Sequence, residues 1–274
     1  MFLEDVPKNT PKRSFRTFSK KIKKEDNVNK RGIYKIIENT NIAKDVYKMI
    51  LEGDTKFIRA AGQFINIQID GFYLRRPISV GDYDENTITI IYKIFGNGTD
   101  KLSTMKVGET LDILTGLGNG FNTNCEGDRP LIIAGGVGVP PMYRLCKELL
   151  KSGKKPTVVF GFASKDDIFY EEEFKNLGVD VHVATVDGSY GTKGFVTDVI
   201  KNLSNYTYYY ACGPMGMLKA IHSLLEVSGQ LSLEERMGCG FGACMGCSCK
   251  TITGYKRICR EGPVLKKEEI LWED

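Results

Sequence analysis

The chain has 274 residues, of which 42% are apolar and 26% charged, with 30 Gly and 9 Pro; this excludes a disordered or collagenous chain, and the length exceeds what one hydrophobic core usually holds. No apolar run reaches the roughly 18 residues of a spanning helix, and charge stands near the N-terminus where a secretion signal would be apolar, so the expected compartment is the cytoplasm. The formal net charge is +4, yet ten basic and only four acidic residues fall within residues 1–31, which leaves a near-neutral body, argues against a nucleic-acid-binding face on the fold and makes 1–31 a basic, flexible extension.

Beyond the extension, Ile33 to Ile37, Asp45 to Leu51, Gln63 to Ile69, Thr87 to Phe95 and Thr110 to Leu114 are rich in Ile, Val, Thr and Tyr and are separated by turn clusters. Short strands at this spacing predict an antiparallel β-barrel over 32–124. From Pro130 the rhythm changes to strand then helix. Leu131 to Ala134, Thr157 to Phe160, Val179 to Ala184 and Thr207 to Ala211 read as strands. Helical spacing follows each, over Met142 to Leu150, Tyr170 to Asn176, Phe195 to Leu203 and Met215 to Val227. The alternation predicts a doubly wound parallel-sheet α/β domain over 125–228. Residues 229–274 break the rhythm and form a third, small subdomain.

Within the barrel, Arg75 and Arg76 precede Pro77, Ile78 and Ser79. On a strand Arg76 and Ile78 share one face and Ser79 takes the other, so a single segment can pair a phosphate, pack on a ring and hydrogen-bond its edge. Gly96-Asn97-Gly98-Thr99 stands at a helix start, where free N–H groups suit an anion. Gly135-Gly136-Val137-Gly138-Val139-Pro140 follows the first parallel strand, and Cys212-Gly213-Pro214 the fourth. Both turns lie at carboxyl ends of strands and line one crevice for a phosphate-bearing nucleotide. Asp187-Gly188-Ser189-Tyr190-Gly191 reads as a ribose contact or as an ordinary loop. His182 and His222 fit packing or surface roles.

Four of the eight cysteines fall between Cys239 and Cys249. Cys239, Cys244, Cys247 and Cys259 have the C-x4-C-x2-C…C spacing of plant-type 2Fe-2S proteins. Gly240, Gly242 and Gly246 permit positive φ and let N–H groups approach the sulfurs. Four thiolates also suit zinc, although zinc sites favour two paired knuckles. Cys249, Cys125, Cys146 and Cys212 read as packed thiols.

Together, Arg76-Pro77-Ile78-Ser79, the Gly96 to Thr99 turn, Gly135 to Pro140, Cys212-Gly213-Pro214 and the cysteine motif followed by Glu261-Gly262-Pro263-Val264 resemble the electron-transfer subunit of class 1B dihydroorotate dehydrogenase. That family belongs to the ferredoxin reductase superfamily, and the resemblance covers residues 32–274. It implies an FAD-binding barrel, an NAD-binding domain and a 2Fe-2S subdomain. By this resemblance Arg76 holds the FAD pyrophosphate, Ser79 bonds the flavin near N5, and Gly98 with Thr99 cradles phosphate. Ile78 replaces the usual Tyr, so stacking is weaker or comes from another ring such as Tyr92. The resemblance further implies a catalytic partner subunit containing FMN, in a heterotetramer of two of each, with electrons passing from reduced FMN through the cluster and FAD to NAD⁺ during pyrimidine biosynthesis. Rival readings are the small subunit of an NADH-dependent ferredoxin:NADP reductase, whose fourth ligand is typically Asp where this chain has Cys259, a sulfite reductase or hydrogenase subunit, and a zinc-stabilised module without redox activity.

Overall fold

The computed structural model describes residues 30–124 and 126–272. Most of the basic extension, and Cys125, lie outside the described residues. Lys30 and Arg31 do not belong to an extension: they open the first strand, β1 (Lys30–Ala43). With β2 (Val46–Glu52), β3 (Phe64–Gln68), β4 (Arg76–Tyr83), β5 (Thr87–Lys93) and β6 (Thr110–Leu117) it closes a barrel in the order β1-β2-β5-β4-β3-β6. β1 is longer than the expected Ile33 to Ile37 because it bends at two register shifts, after Ile36 and after Asn41, and so pairs with both β2 and β6. Its polar second half, Glu38 to Asn41, hides this continuation from a hydrophobicity reading. Ile36, Met49, Leu51, Ile65, Ile88 and Ile90 fill the interior. Helix α1 (Asn97–Thr104) covers it with Leu102, and at the helix end Asn39 Nδ2 donates to the carbonyls of Leu102 and Met105.

The second layer is a seven-stranded sheet. Its strands are β7 (Pro130–Gly135), β8 (Thr157–Phe162), β9 (Asp180–Thr185), β10 (Thr192–Lys193), β11 (Tyr208–Cys212), β12 (Gly229–Ser232) and an antiparallel edge strand near the C-terminus, Val264–Lys266. Central β7 has all six residues buried, as a parallel strand covered on both faces requires. Helices α2 (Val139–Lys151), α3 (Glu171–Lys175), α4 (Val196–Ile200) and α5 (Met215–Leu224) connect the strands. Two differences from the sequence reading stand out. α3 and α4 are single turns, and Tyr170, expected inside α3, has φ 65° and starts it from the left-handed region. The sheet also continues past residue 228, because Gly229–Ser232 is a fully buried run too short to signal a strand.

The remaining chain forms the cysteine loop and a hairpin of β13 (Ser248–Thr251) and β14 (Gly254–Arg257), and then returns as the edge strand β15 (Val264–Lys266) beside β12. Asn119, just after β6, holds this return through bonds to Glu261 and Val264 backbone groups at 2.7 to 3.1 Å. The α/β layer docks on β4. Arg144 of α2 lies over the Tyr83 ring at 4.0 Å and reaches Asp82 at 3.3 Å, and Lys147 pairs with Asp82 at 2.6 Å. Among the described residues no helix is long and apolar enough to cross a membrane.

Candidate functional site

The segment Arg76 to Ser79 forms the first half of β4, paired with β3 so that Ile67 faces Arg76, Asn66 faces Pro77, Ile65 faces Ile78 and Phe64 faces Ser79. The two adjacent arginines separate by role. Arg75 is spent on structure, donating to the Asp112 carboxylate and carbonyl, both at 2.9 Å. Arg76 has no carboxylate partner among the described residues; its guanidinium lies 4.9 Å from the Phe72 ring and bonds the Leu74 carbonyl. Against it sits Gly98, in the first turn of α1, where an added Cβ would lie 2.2 Å from Arg76 Nε. An uncommitted guanidinium thus meets the N-terminus of an eight-residue helix with no side-chain cap. That donor set suits a pyrophosphate. Gly96, with φ 87°, makes the entry turn, and Thr99 Oγ1 accepts from the Phe95 N–H at 2.7 Å. Ile78 is half-buried against the barrel core. The Tyr92 ring is taken: it is 3% exposed, stacked on Tyr47, and its hydroxyl donates to Asn39. Its ring is therefore part of the barrel core rather than an open stacking face.

The two glycine turns of the sheet meet backbone to backbone. Ala134 and Cys212 are register partners on neighbouring parallel strands. A Cβ on Gly138 would fall 2.2 Å from the Cys212 carbonyl oxygen, and one on Gly135 would fall 3.1 Å from the Pro214 ring. Gly213 lies close to Gly135 in turn, 3.0 Å from its nitrogen to the added Cβ. The uncapped N-termini of α2 and α5 therefore open on one cleft of about 620 Å³ at the carboxyl ends of β7, β8 and β11. Gly135, Gly136 and Pro214 line it together with Phe162, Phe195 and Met217. Sequence reasoning missed its barrel side. Lys93 of β5 reaches across to Asp167 at 3.1 Å, and both residues line the cleft. The loop at Asp187 is turned on itself instead: its carboxylate accepts the Ser189 hydroxyl and N–H, which hold it below the usual carboxylate range. His182 bonds Asp180, and His222 bonds the Lys267 carbonyl, both outside the cleft.

In the cysteine loop Cys239 neighbours Cys244, whose Sγ the Cys239 N–H approaches at 3.5 Å, and Cys247 neighbours Cys259. Two pairs of thiolates are what a two-iron core takes, and the backbone already points at them. The N–H groups of Ala243 and Cys244 approach Cys239 Sγ at 3.2 and 3.4 Å, and the Cys259 N–H approaches Cys247 Sγ at 3.4 Å. Cys247 and Cys259 are buried, and Cys244 is exposed. Cys249 packs part-buried against the core, and Cys146 is fully buried with its thiol pushed up to about 12.

Electrostatics divides the thiols. Burial raises Cys239, but the N–H groups of Phe241, Cys244 and Ala243 outweigh it and hold the thiol down to about 6. Burial, and then the Cys247 neighbour, push Cys259 up to about 12. In iron-free protein, iodoacetamide should therefore alkylate Cys239 readily at pH 7 and leave Cys259 unmodified, because only the thiolate attacks. Peptide mapping across a pH series measures this; equal labelling at pH 7 contradicts the assignment.

Comparison with known proteins agrees with this arrangement. Residues 234–271 match the iron-sulfur cluster binding domain of dihydroorotate dehydrogenase B, and residues 132–223 match the oxidoreductase NAD-binding domain. The dihydroorotate dehydrogenase B (NAD(+)) electron transfer subunit of Fusobacterium nucleatum is 46% identical over 248 residues, covering 85% of this chain and 95% of that protein. The corresponding subunit of Shouchella clausii is 43% identical over 256 residues, covering 88% and 98%. Among solved structures, a chain of the NADH-dependent reduced ferredoxin-NADP oxidoreductase superposes with a TM-score of 0.79 at 29% identity, over 88% of this chain and 90% of that one. The ferredoxin reductase of carbazole 1,9a-dioxygenase shares the fold alone, with a TM-score of 0.64 at 21% identity over 73% and 67%. A barrel, a nucleotide cleft and a paired-thiol loop, matched nearly end to end at such identity, place the chain in the family of dihydroorotate dehydrogenase B electron transfer subunits.

Proposed function

We propose that this chain carries electrons from the reduced FMN of a dihydroorotate-oxidising catalytic subunit to NAD⁺, using a 2Fe-2S cluster and FAD of its own, in a cytoplasmic heterotetramer of two subunits of each kind. The carrying observation is that one strand pair serves two sites: β4 presents Arg76 to Ser79, and Asn66, opposite Pro77 on β3, donates to the carbonyl of Cys239. Bound nicotinamide accepts a hydride, an iron–sulfur centre exchanges single electrons, and a flavin between them supplies both kinds of transfer.

The chain's residues bind and orient. Arg76, with the α1 N-terminus at Gly98 and Thr99, holds the FAD pyrophosphate, and Ser79 bonds the edge of the ring. Gly135, Gly136, Gly138, Cys212, Gly213 and Pro214 shape the nucleotide cleft, where the α2 and α5 N-termini face phosphate. Cys239, Cys244, Cys247 and Cys259 ligate the iron. Phe241 and Met245, 43% and 54% exposed on the cysteine loop beside exposed Cys244, give the partner subunit an apolar landing point over the cluster. Dihydroorotate chemistry belongs to the partner, since both histidines of this chain are engaged away from the cleft.

The direct test is anaerobic reconstitution. Co-expressed with an FMN-containing partner, the chain should carry iron, acid-labile sulfide and FAD, and dihydroorotate should reduce NAD⁺ only when both subunits are present. A colourless preparation, or NAD⁺ reduction by the partner alone, contradicts the reading. Cys244→Ser should lose iron while retaining FAD, as measured by metal analysis and the visible spectrum. Arg76→Ala should weaken FAD binding by about 1.5 to 3 kcal/mol, roughly 10- to 150-fold in Kd, through loss of charge-assisted hydrogen bonds. Unchanged FAD retention on gel filtration would move the pyrophosphate elsewhere.

A further inference from the structure

β3 alternates in the ordinary way. Ile65 and Ile67 are fully buried inside the barrel, and Asn66 between them takes the opposite face. There it is 1% exposed, and its Nδ2 donates to the Cys239 carbonyl at 3.1 Å. Gly240 lies over the same amide: it has φ +75°, and an added Cβ would come 2.3 Å from Asn66 Nδ2. The strand beneath is fixed by its neighbours, Pro77 on β4 and Leu114 on β6, and Arg75 donates to the Asn66 carbonyl at 3.3 Å.

The side-chain oxygen, Oδ1, is buried without a hydrogen-bond partner among the described residues. A buried acceptor without a donor is costly, so a position that served packing alone would be filled at less cost by leucine. What the amide supplies in return is its N–H, aimed at the loop that holds Cys239.

We infer that Asn66 is a positioning residue for electron exchange between flavin and cluster. Its amide clamps the cysteine loop to the strand pair that presents Arg76 to Ser79, by donating to the Cys239 carbonyl. The inference rests on the functional reading above. The bond goes to the Cys239 carbonyl and not to its sulfur, so Asn66 acts on the cluster by holding a ligand-bearing loop in place, as outer partners of a metal site do. Loss of the donor loosens the Cys239 loop, which shifts the midpoint potential and slows transfer to FAD.

The test uses the holoprotein with FAD and iron in place. Asn66→Leu keeps the volume and removes the donor; Asn66→Asp keeps the shape and puts an acceptor, with negative charge, where the donor was. Iron and FAD content, the EPR spectrum of the dithionite-reduced protein, the cluster midpoint by EPR-monitored titration, and the rate of electron arrival at FAD after flash reduction are compared. Asn66→Leu should shift the midpoint, alter the EPR line shape and slow the transfer at full iron and FAD content, and Asn66→Asp, which adds negative charge, should lower the midpoint. Unchanged midpoint, spectrum and rate overturn the inference. If Asn66→Leu does not accumulate, the near-isosteric Asn66→Asp is read against the same two outcomes. A wild-type protein without iron or FAD would instead defeat the functional reading, so the two failures are distinct.

Discussion

The antiparallel pairing of β3 with β4 is the constraint on which the other features depend. Its four register pairs, Phe64 with Ser79 through Ile67 with Arg76, decide what lies beside what. On β4 the first half presents the Arg76 to Ser79 segment, and the second half, through Asp82 and Tyr83, receives α2. On the neighbouring strand Asn66 meets the cysteine loop. A slip of one residue in β3 would turn Asn66 inward and carry Ile65 and Ile67 out of the barrel, so the apolar core fixes the register and the register fixes the sites. The barrel is therefore more than a holder for one ligand; it sets the spacing of three.

A shared electrostatic device recurs in all three sites. Each handles negative charge with backbone N–H groups at an open turn more than with charged side chains. The N-termini of α1, α2 and α5 lack side-chain caps, and the sulfurs of Cys239 and Cys247 accept from neighbouring amides. Fixed dipoles of this kind need no reorganisation when charge arrives, which suits a chain whose work is passing charge. Glycine at Gly98 and Gly138 lets the backbone come close enough, since a Cβ at either would strike Arg76 or the Cys212 carbonyl. Lys93 and Asp167, paired at 3.1 Å from barrel to sheet, place opposite charges on the lining of the nucleotide cleft.

Much of the candidate site was legible because its signals are local. The spacing of Cys239, Cys244, Cys247 and Cys259 encodes a loop whose reach is set by a few bonds. The glycine turns at Gly135 and Gly213 announce themselves by what they lack, and the strand-then-helix rhythm gave the order of the α/β layer. Tyr92 shows where local reading stops: an aromatic next to a glycine turn looked available for stacking, and the barrel closed over it, with Tyr47 on its face and Asn39 on its hydroxyl. The resemblance singled out Arg76 over its neighbour Arg75, and Asp112, distant in sequence, is what ties Arg75 down.

Sequence alone therefore determined the kind of fold, the clustering of the four thiols and the positions of the glycine turns at strand ends, because each is fixed by residue type and short spacing. Only the tertiary structure decided which side chains remain free, that β12 and β15 extend the sheet, and that Asn66 touches the Cys239 loop 173 residues away. Contacts of that separation leave no periodicity in the chain. They exist because burial of the barrel and sheet cores forces two surfaces together, and which polar atoms then meet depends on register and packing that no local pattern encodes.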